Sequence, residues 1–189
     1  MAKVALIQGS VRRDRQGINV GLWLEQKLKM RNHVVYFIDP LKLNLPTLDR
    51  MYKEMAEPPK TLIDLRNMIV DKEGYLAVTP EYNHSTSAAM KNTLDYFLEE
   101  YYFKPSAIVS YSPGMFGGVN AAQHLRHVFA ELGAPTIPSP FSIPKVHTFF
   151  AEGGRLLDAA YERRYMKFIE EFEWYIDALK YQRAKGTPY

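Results

Sequence analysis

The sequence predicts an α/β fold, in which a parallel sheet of about five strands carries helices on both faces. The first observation behind this prediction is that short apolar runs, typical of buried strands, alternate with segments of helical periodicity. The second is that no internal repeat, low-complexity segment or shift in composition divides the chain. We therefore expect residues 1–189 to form a single doubly wound domain.

Four segments have the composition of buried strands. Each is an apolar run of six or seven residues, and they span 3–8, 33–38, 74–79 and 105–111. The third run stops at Pro80, because proline cannot continue the hydrogen-bonded ladder. Residues 134–144 contain four prolines, so we expect extended chain there with at most a short edge strand.

Helical patterns occupy most of the chain between and after these strands. The predicted helices span 19–30, 60–71, 87–99, 119–132 and 155–183. Residues 39–59 contain four prolines and are predicted to form a long irregular connection. Since strands and helices alternate, right-handed crossovers should place the carboxyl ends of the strands at one edge of the sheet, where ligands bind in such folds.

Composition excludes several classes of function. A net charge of +3 without blocks of like charge argues against a nucleic-acid partner. No apolar run approaches the ~20 residues needed to span a bilayer, and the N-terminus does not resemble a signal peptide. The absence of cysteine excludes disulfides, thiolate metal sites and thiol nucleophiles. We expect a cytoplasmic protein without a membrane partner.

A metal site is one alternative that the histidines leave open. His124 and His127 lie three residues apart on a predicted helix, a spacing that a metal could bridge. No carboxylate lies beside them, so we expect no bound metal.

Residues 9–18, here called loop one, follow the first strand and combine the groups that bind a phosphate. The loop offers a tight glycine turn, a hydroxyl, guanidinium groups and the start of a helix, although it lacks the motifs for ATP or NAD. Asn19 is expected to cap the helix or to bind the anion. The alternative is a surface turn with a solvated basic cluster. The candidate phosphate ligands are Ser10, Arg12, Arg15, Gly17 and Asn19.

Residues 80–87, here called loop two, follow the third predicted strand. An aromatic ring beside amide and imidazole donors suits a flat heteroaromatic ligand. The alternative is an ordinary strand–helix loop in which a serine or threonine caps the helix. The candidate ring-binding residues are Pro80, Glu81, Tyr82 and Asn83, with His84 next to them.

Residues 112–118, here called loop three, contain three glycines within five positions. Such a segment exposes backbone N–H groups that can approach a ligand closely, although a flexible turn would have the same composition. Its candidate ligand-binding residues are Ser112, Gly114, Gly117 and Gly118. Together the three loops describe a phosphate clamp next to a cradle for a planar ring, and a ligand with both parts is FMN.

The chain also resembles the NADPH-dependent FMN reductase family of flavodoxin-like proteins, which includes quinone, chromate and azo-dye reductases. The resemblance covers roughly residues 3–135 and rests on Gly9-Ser10-Val11-Arg12, Thr79-Pro80-Glu81-Tyr82-Asn83 and Ser112-Pro113-Gly114. One departure is Gly17, where many members have serine. The resemblance implies a phosphate loop, an isoalloxazine loop and a glycine loop at these three places.

Family membership implies a function as well. FMN would take a hydride from NADPH or NADH and pass electrons to an acceptor at the same face, so no side chain needs to act as catalyst. The N–H groups of Gly117 and Gly118 would face the N1–C2=O edge of the ring, and Tyr82 and Asn83 would hold the ring. His84 either lines the substrate face or is an ordinary exposed loop histidine. A homodimer or homotetramer is expected.

Three alternatives complete the predictions. The chain could be a non-catalytic FMN electron carrier, although such carriers are often strongly acidic and this chain is mildly basic. It could also bind a phosphate ligand only, or pass free flavin onward. Finally, an aromatic stripe on the last helix either packs on its own sheet or forms a self-association surface. The stripe consists of Tyr161, Tyr165, Phe168, Phe172, Tyr175 and Leu179.

Overall fold

The computed structural model describes residues 1–189 and contains a five-stranded, entirely parallel sheet. The strand order is β2-β1-β3-β4-β5, which is the order of flavodoxin-like doubly wound folds. The strands are β1 (Lys3–Gln8), β2 (Val34–Ile38), β3 (Gly74–Pro80), β4 (Ser106–Tyr111) and β5 (Phe141–Ile143). The predicted α/β class is therefore confirmed, and the proline-rich segment does form a short edge strand.

Six α-helices connect and follow the strands. They are α1 (Gly17–Met30), α2 (Pro40–Leu43), α3 (Lys60–Asn67), α4 (Ala88–Asp95), α5 (Val119–Glu131) and α6 (Ala160–Arg183). Short 3-10 turns lie at Tyr52–Glu54, Glu99–Tyr101, Val146–Thr148 and Glu152–Gly154. No helix is both long enough and apolar enough to cross a membrane.

Apolar residues of the sheet form a separate core on each face. Along β1, Val4 and Leu6 belong to the cluster that contains α1 and α6, whereas Ala5 and Ile7 belong to the cluster that contains α3, α4 and α5. This alternation follows from the two-residue period of a strand. Because both faces of the sheet are covered, its strands read as continuous apolar runs rather than alternating ones.

Several predicted helix boundaries were wrong, each for a local reason. Helix α2 was not predicted, but Asp39 caps it by accepting a hydrogen bond from the Leu41 N–H, and Pro40 occupies its first turn. Helix α4 ends at Asp95 rather than near residue 99, and a separate 3-10 turn follows. Helix α6 begins at Ala160 rather than 155, because Leu156 forms a β-bridge with Phe150.

The aromatic stripe of α6 packs on its own sheet. Tyr161, Tyr165, Phe168 and Phe172 are buried in the core that also contains Trp23 of α1. Trp23 stacks edge-on against Tyr165 with 5.0 Å between ring centroids. Since these rings lie inside the protein, this part of the stripe is not a self-association surface.

Candidate functional site

Loops one and two line one cavity of about 250 Å³ at the carboxyl edge of the sheet, and loop three contributes Pro113 to it. Tyr111, Val146 and His147 complete its wall. The cavity lies between the tips of β1, β3 and β4. The predicted site residues that line it are Ser10, Arg12, Arg15, Pro80, Glu81 and Tyr82. The predicted residues that do not line it are Gly17, Asn19, Asn83, His84, Ser112, Gly114, Gly117 and Gly118.

Side-chain hydrogen bonds tie loop one directly to loop two. The Ser10 hydroxyl lies 3.0 Å from the Tyr82 hydroxyl. The Ser87 hydroxyl donates to the Gly9 carbonyl and also accepts from the Met90 N–H at 3.0 Å, so it caps α4. A serine cap was the alternative interpretation of loop two, and the structure combines it with the cavity.

Loop one presents unpaired backbone donors at the start of α1. From Ser10 to Ile18, none of the N–H groups donates to another backbone group. The Arg12 N–H lies 3.5 Å from Ser10 Oγ, and the Gly17 N–H lies beside the Tyr111 hydroxyl. Gln16 precedes α1 without capping it through its side chain. Asn19 lies inside the first turn, so the expectation that it caps the helix was wrong. An uncapped helix start is well suited to an anion.

The two candidate arginines of loop one have different environments. Arg12 is exposed and makes no ion pair. Arg15 is buried, and its two terminal nitrogens donate to the Asp39 carboxylate at 2.5 and 2.6 Å. Arg15 also donates to the Ser10 carbonyl at 2.8 Å. The Arg15 guanidinium therefore joins loop one to the end of β2, and its role as a phosphate ligand stays a prediction.

Loop two is a tight turn with an unusual backbone. Tyr82 and Ser85 exchange two backbone hydrogen bonds of 3.0 Å, and Asn83 and His84 between them have φ of 50° and 61°. Two successive positive φ values are those of a type I′ turn, in which asparagine is favoured. This turn presents the Asn83 and His84 side chains beyond the sheet edge.

The Glu81 side chain has a structural partner that the sequence did not suggest. Its carboxylate accepts hydrogen bonds from the Asn120 N–H at 3.0 Å and the Ala121 N–H at 3.3 Å. Gly118 precedes α5 and has no side chain with which to cap it. Glu81 therefore caps α5 from another loop, and its carboxylate lies at the positive end of the helix dipole.

Loop three requires glycine at two positions. Gly117 has φ of 64°, and a Cβ atom there would lie 2.7 Å from the Pro144 nitrogen. Gly118 has φ of 82°, and its Cβ would lie 3.0 Å from the backbone of Tyr111. None of the N–H groups from Gly114 to Gly118 donates to another group of the chain. The loop is thus packed closely against β4 and β5 with its donors unused.

The two histidines with metal-like spacing do not form a cluster. His124 Nδ1 lies 3.1 Å from the Ser85 hydroxyl. No group of three or more histidine, aspartate or glutamate side chains converges at any point of the chain.

The comparisons with known proteins identify the family. A family model described as NADPH-dependent FMN reductase matches residues 2–148. This chain belongs to the NADPH-dependent FMN reductase family. An NAD(P)H-dependent FMN reductase of a Nectria species is 37% identical over 149 residues, which are 72% of this chain and 73% of that protein. A quinone reductase of Pseudomonas putida is 29% identical over 168 residues, which are 82% of this chain and 84% of that protein.

Solved structures confirm the flavodoxin-like fold of this FMN reductase family member. FerB, a flavoenzyme NAD(P)H:(acceptor) oxidoreductase of Paracoccus denitrificans, has a TM-score of 0.76 at 23% identity and covers 95% of this chain and 98% of that chain. A flavodoxin of Pseudomonas aeruginosa has a TM-score of 0.58 at 14% identity and covers 94% of this chain and 99% of that chain. At these identities the likeness concerns the fold alone.

The sequence did not predict every residue that lines the cavity of this FMN reductase. The sequence placed Tyr111 only in a buried strand. In the structure it pairs with Pro80, so it lies at the carboxyl edge of the sheet and lines the cavity. That pairing could have been inferred once the strand tips were aligned. His147 follows the short edge strand β5, and no local pattern connects it to the site.

Proposed function

We propose that this FMN reductase family member binds FMN and uses it to transfer hydride equivalents from NADPH or NADH to quinones, free flavin or similar small acceptors. The observation that carries the proposal is the cavity beside loop one, where the Ser10 hydroxyl, the Arg12 guanidinium and unpaired N–H groups before α1 lie together. Bound FMN supplies the redox chemistry, since its ring accepts a hydride and releases electrons to an acceptor.

The residues of loop one fit the phosphate of FMN. The Ser10 hydroxyl, the Arg12 guanidinium and the N–H groups at the start of α1 are all donors, as a dianionic phosphate requires. Gly17 and Asn19 belong to the same first turn of α1. Arg15 contributes indirectly, because it holds the Ser10 carbonyl and Asp39 in place.

Loops two and three fit the ring. Tyr82 and Asn83, together with the backbone of Pro80 and Glu81, would hold one side of it, and His84 would line the face at which the acceptor binds. The unused N–H groups between Gly114 and Gly118 would donate to the pyrimidine edge, where they favour negative charge. Ser112 lies at the start of this loop, and its hydroxyl is 3.4 Å from the Gly114 carbonyl.

The proposal extends to assembly and location. We infer a homodimer or homotetramer, supported by two large exposed apolar side chains next to the cavity loops, Met115 at 68% and Phe116 at 78% exposure. Sedimentation equilibrium measures this directly. A cytoplasmic location is the corresponding inference, because NAD(P)H is the reductant.

The decisive experiment is the anaerobic addition of NADPH to the FMN-loaded protein. We expect the visible flavin absorbance to bleach faster than a free-FMN control and to return when a benzoquinone is added. An electron carrier would bind FMN without being reduced faster than the control, and that result would overturn the oxidoreductase assignment.

A pair of variants tests the phosphate site separately. Arg12→Ala should weaken FMN binding by about tenfold, because a charged donor to the phosphate is lost. Arg13→Ala is the matched control, since Arg13 is also exposed but does not line the cavity. Equal affinities in the two variants would contradict the assignment of the phosphate to this loop.

A further inference from the structure

Gly17 is a glycine for reasons of packing rather than backbone conformation. It is the buried first residue of α1, and it has no positive φ. A Cβ atom at this position would lie 2.1 Å from the Tyr111 hydroxyl oxygen and 2.4 Å from the Cζ atom of the same ring. The missing side chain therefore makes room for the end of the Tyr111 phenol, which occupies the space of a residue 17 side chain.

The Tyr111 phenol reaches the cavity from the tip of β4. The residue is 5% exposed and lines the cavity together with Ser10 and Arg12. Burial raises the pKa of the phenol well above its usual range, whereas contacts with the Ser10 hydroxyl and the Gly17 backbone oppose that rise. The phenol therefore remains protonated at physiological pH and can donate its hydrogen.

The surroundings of this hydroxyl contain an N–H group and another hydroxyl, but no carbonyl or carboxylate acceptor. Its neighbours are the Gly17 backbone and the Ser10 hydroxyl, which is itself 3.0 Å from the Tyr82 hydroxyl. No carbonyl or carboxylate oxygen of the chain accepts a hydrogen bond from Tyr111, although the residue is almost fully buried. A buried hydroxyl normally donates to some acceptor, and here an anionic oxygen in the cavity would satisfy it.

We propose that Tyr111 is a direct ligand of the FMN phosphate, and that its phenol donates to a phosphate oxygen from the place that a residue 17 side chain would otherwise fill. The inference rests on the proposed function, because it assumes that FMN occupies the cavity. It assigns to β4 a role in binding the phosphate end of the ligand, in addition to the role of loop three at the ring. It also gives the glycine at position 17 a functional reason.

The test compares FMN with riboflavin, which has the same ring and no phosphate. Dissociation constants are measured by quenching of flavin fluorescence. We expect the unmodified protein to prefer FMN, and Tyr111→Phe to weaken FMN binding by about 10- to 100-fold while riboflavin binding changes by less than about twofold. Tyr101→Phe is the matched control, because that hydroxyl is also buried, has no partner and lies at the other edge of the sheet.

A second pair of variants tests whether a side chain at residue 17 can replace the Tyr111 ring as the phosphate ligand. Tyr111→Ala removes the ring, and the double variant Tyr111→Ala with Gly17→Ser supplies a hydroxyl from α1 in the vacated space. We expect the double variant to recover at least about tenfold of the FMN preference that Tyr111→Ala loses. This comparison does not depend on the behaviour of Tyr111→Phe.

The possible failures are distinguishable. If the unmodified protein prefers FMN and both Tyr111→Phe and Tyr111→Ala keep that preference, Tyr111 is not a phosphate ligand and the proposed function stands. If the unmodified protein binds FMN no better than riboflavin, the phosphate site in this cavity is wrong and the inference fails with it.

Discussion

The two edges of the parallel sheet use their polar groups in opposite ways. At the amino edge, the Lys104 ammonium donates to the Val70 and Glu100 carbonyls at 2.6 Å each, and buried Lys72 pairs with Asp71. At the carboxyl edge, most backbone N–H groups of loop one and all those from Gly114 to Gly118 have no partner in the chain. The comparison teaches that the amino edge pairs its buried lysines within the chain, whereas the carboxyl edge leaves backbone donors available to a ligand.

Hydrogen bonds and an ion pair at the amino edge also attach the C-terminal helix α6 to the rest of the fold. Arg183, the last residue of α6, donates to the Phe103 carbonyl at 2.7 Å, and Lys180 pairs with Glu73. The Tyr75 hydroxyl donates to the Glu100 carbonyl at 2.6 Å. These contacts join residues distant in sequence, so this edge serves stability.

The carboxyl edge contains one ion pair of the amino-edge type. Arg15 and Asp39 are both buried and bonded through two oxygens. Such a pair orders loop one but leaves a costly unpaired charge if either partner is removed. Breaking the Arg15–Asp39 pair therefore gives the most direct comparison between the ion pairs of the two edges.

The largest expected effect comes from breaking this pair. Asp39→Asn keeps an oxygen for the Leu41 N–H but removes the counter-ion of Arg15, and we expect a loss of about 3 kcal/mol of unfolding free energy. Urea denaturation of the protein without FMN measures this loss. Asp95→Asn is the control, because it breaks a half-exposed helical pair with Lys91 and should cost less than about 1 kcal/mol. Similar losses in the two variants would refute the structural role of the Arg15–Asp39 pair.

Loop three provides the next test, because two of its glycines differ in their surroundings. Gly117→Ala should cost about 2 kcal/mol of stability and weaken FMN binding, since φ is positive and the new Cβ meets the backbone near Pro144. Gly114→Ala should be nearly neutral for stability, because the nearest atom is 3.8 Å away and φ is not positive. Thermal unfolding measures the stability of both variants. A loss of stability in Gly114→Ala as large as that in Gly117→Ala would contradict the packing of loop three.

The amino edge makes a prediction about pH. Burial lowers the pKa of Lys104 to about 8 in the folded protein, below its usual value of 10.5. Between these values the unfolded chain binds more protons, so stability should rise with pH as the folded lysine loses its proton. We expect a gain of about 1 kcal/mol between pH 8 and pH 9.5, reduced by solvent screening, that Lys104→Met lacks. Urea titrations across this range would exclude the effect if the two proteins changed in parallel.

The smallest expected effect concerns the cap that Glu81 supplies to α5. Glu81→Gln should cost about 0.5–1 kcal/mol, because one oxygen remains to accept while the charge at the helix N-terminus is lost. Glu57→Gln, at an exposed residue without an ion-pair partner, should leave the urea midpoint unchanged. An equal midpoint in both variants would mean that the cap contributes nothing to stability.

Local sequence patterns predicted most of the fold and part of the site. The strands at β1, β3 and β4 are continuous apolar runs, and their boundaries were predicted to within one residue because buried parallel strands leave a clear signal. The loops after them were recognised from glycine, hydroxyl and guanidinium groups. The partners of these groups were not recognised, because nothing near Arg15 in the sequence points to Asp39 and nothing near Glu81 points to Asn120.

By itself the sequence determined the order of strands and helices, the three ligand loops and the family, because periodicity and short motifs are local properties of the chain. Only the tertiary structure decided which donors remain unpaired, which arginine is already neutralised and which ring fills the space beside Gly17. Those outcomes depend on contacts between residues far apart in sequence, and burial sets the cost of leaving each polar group without a partner.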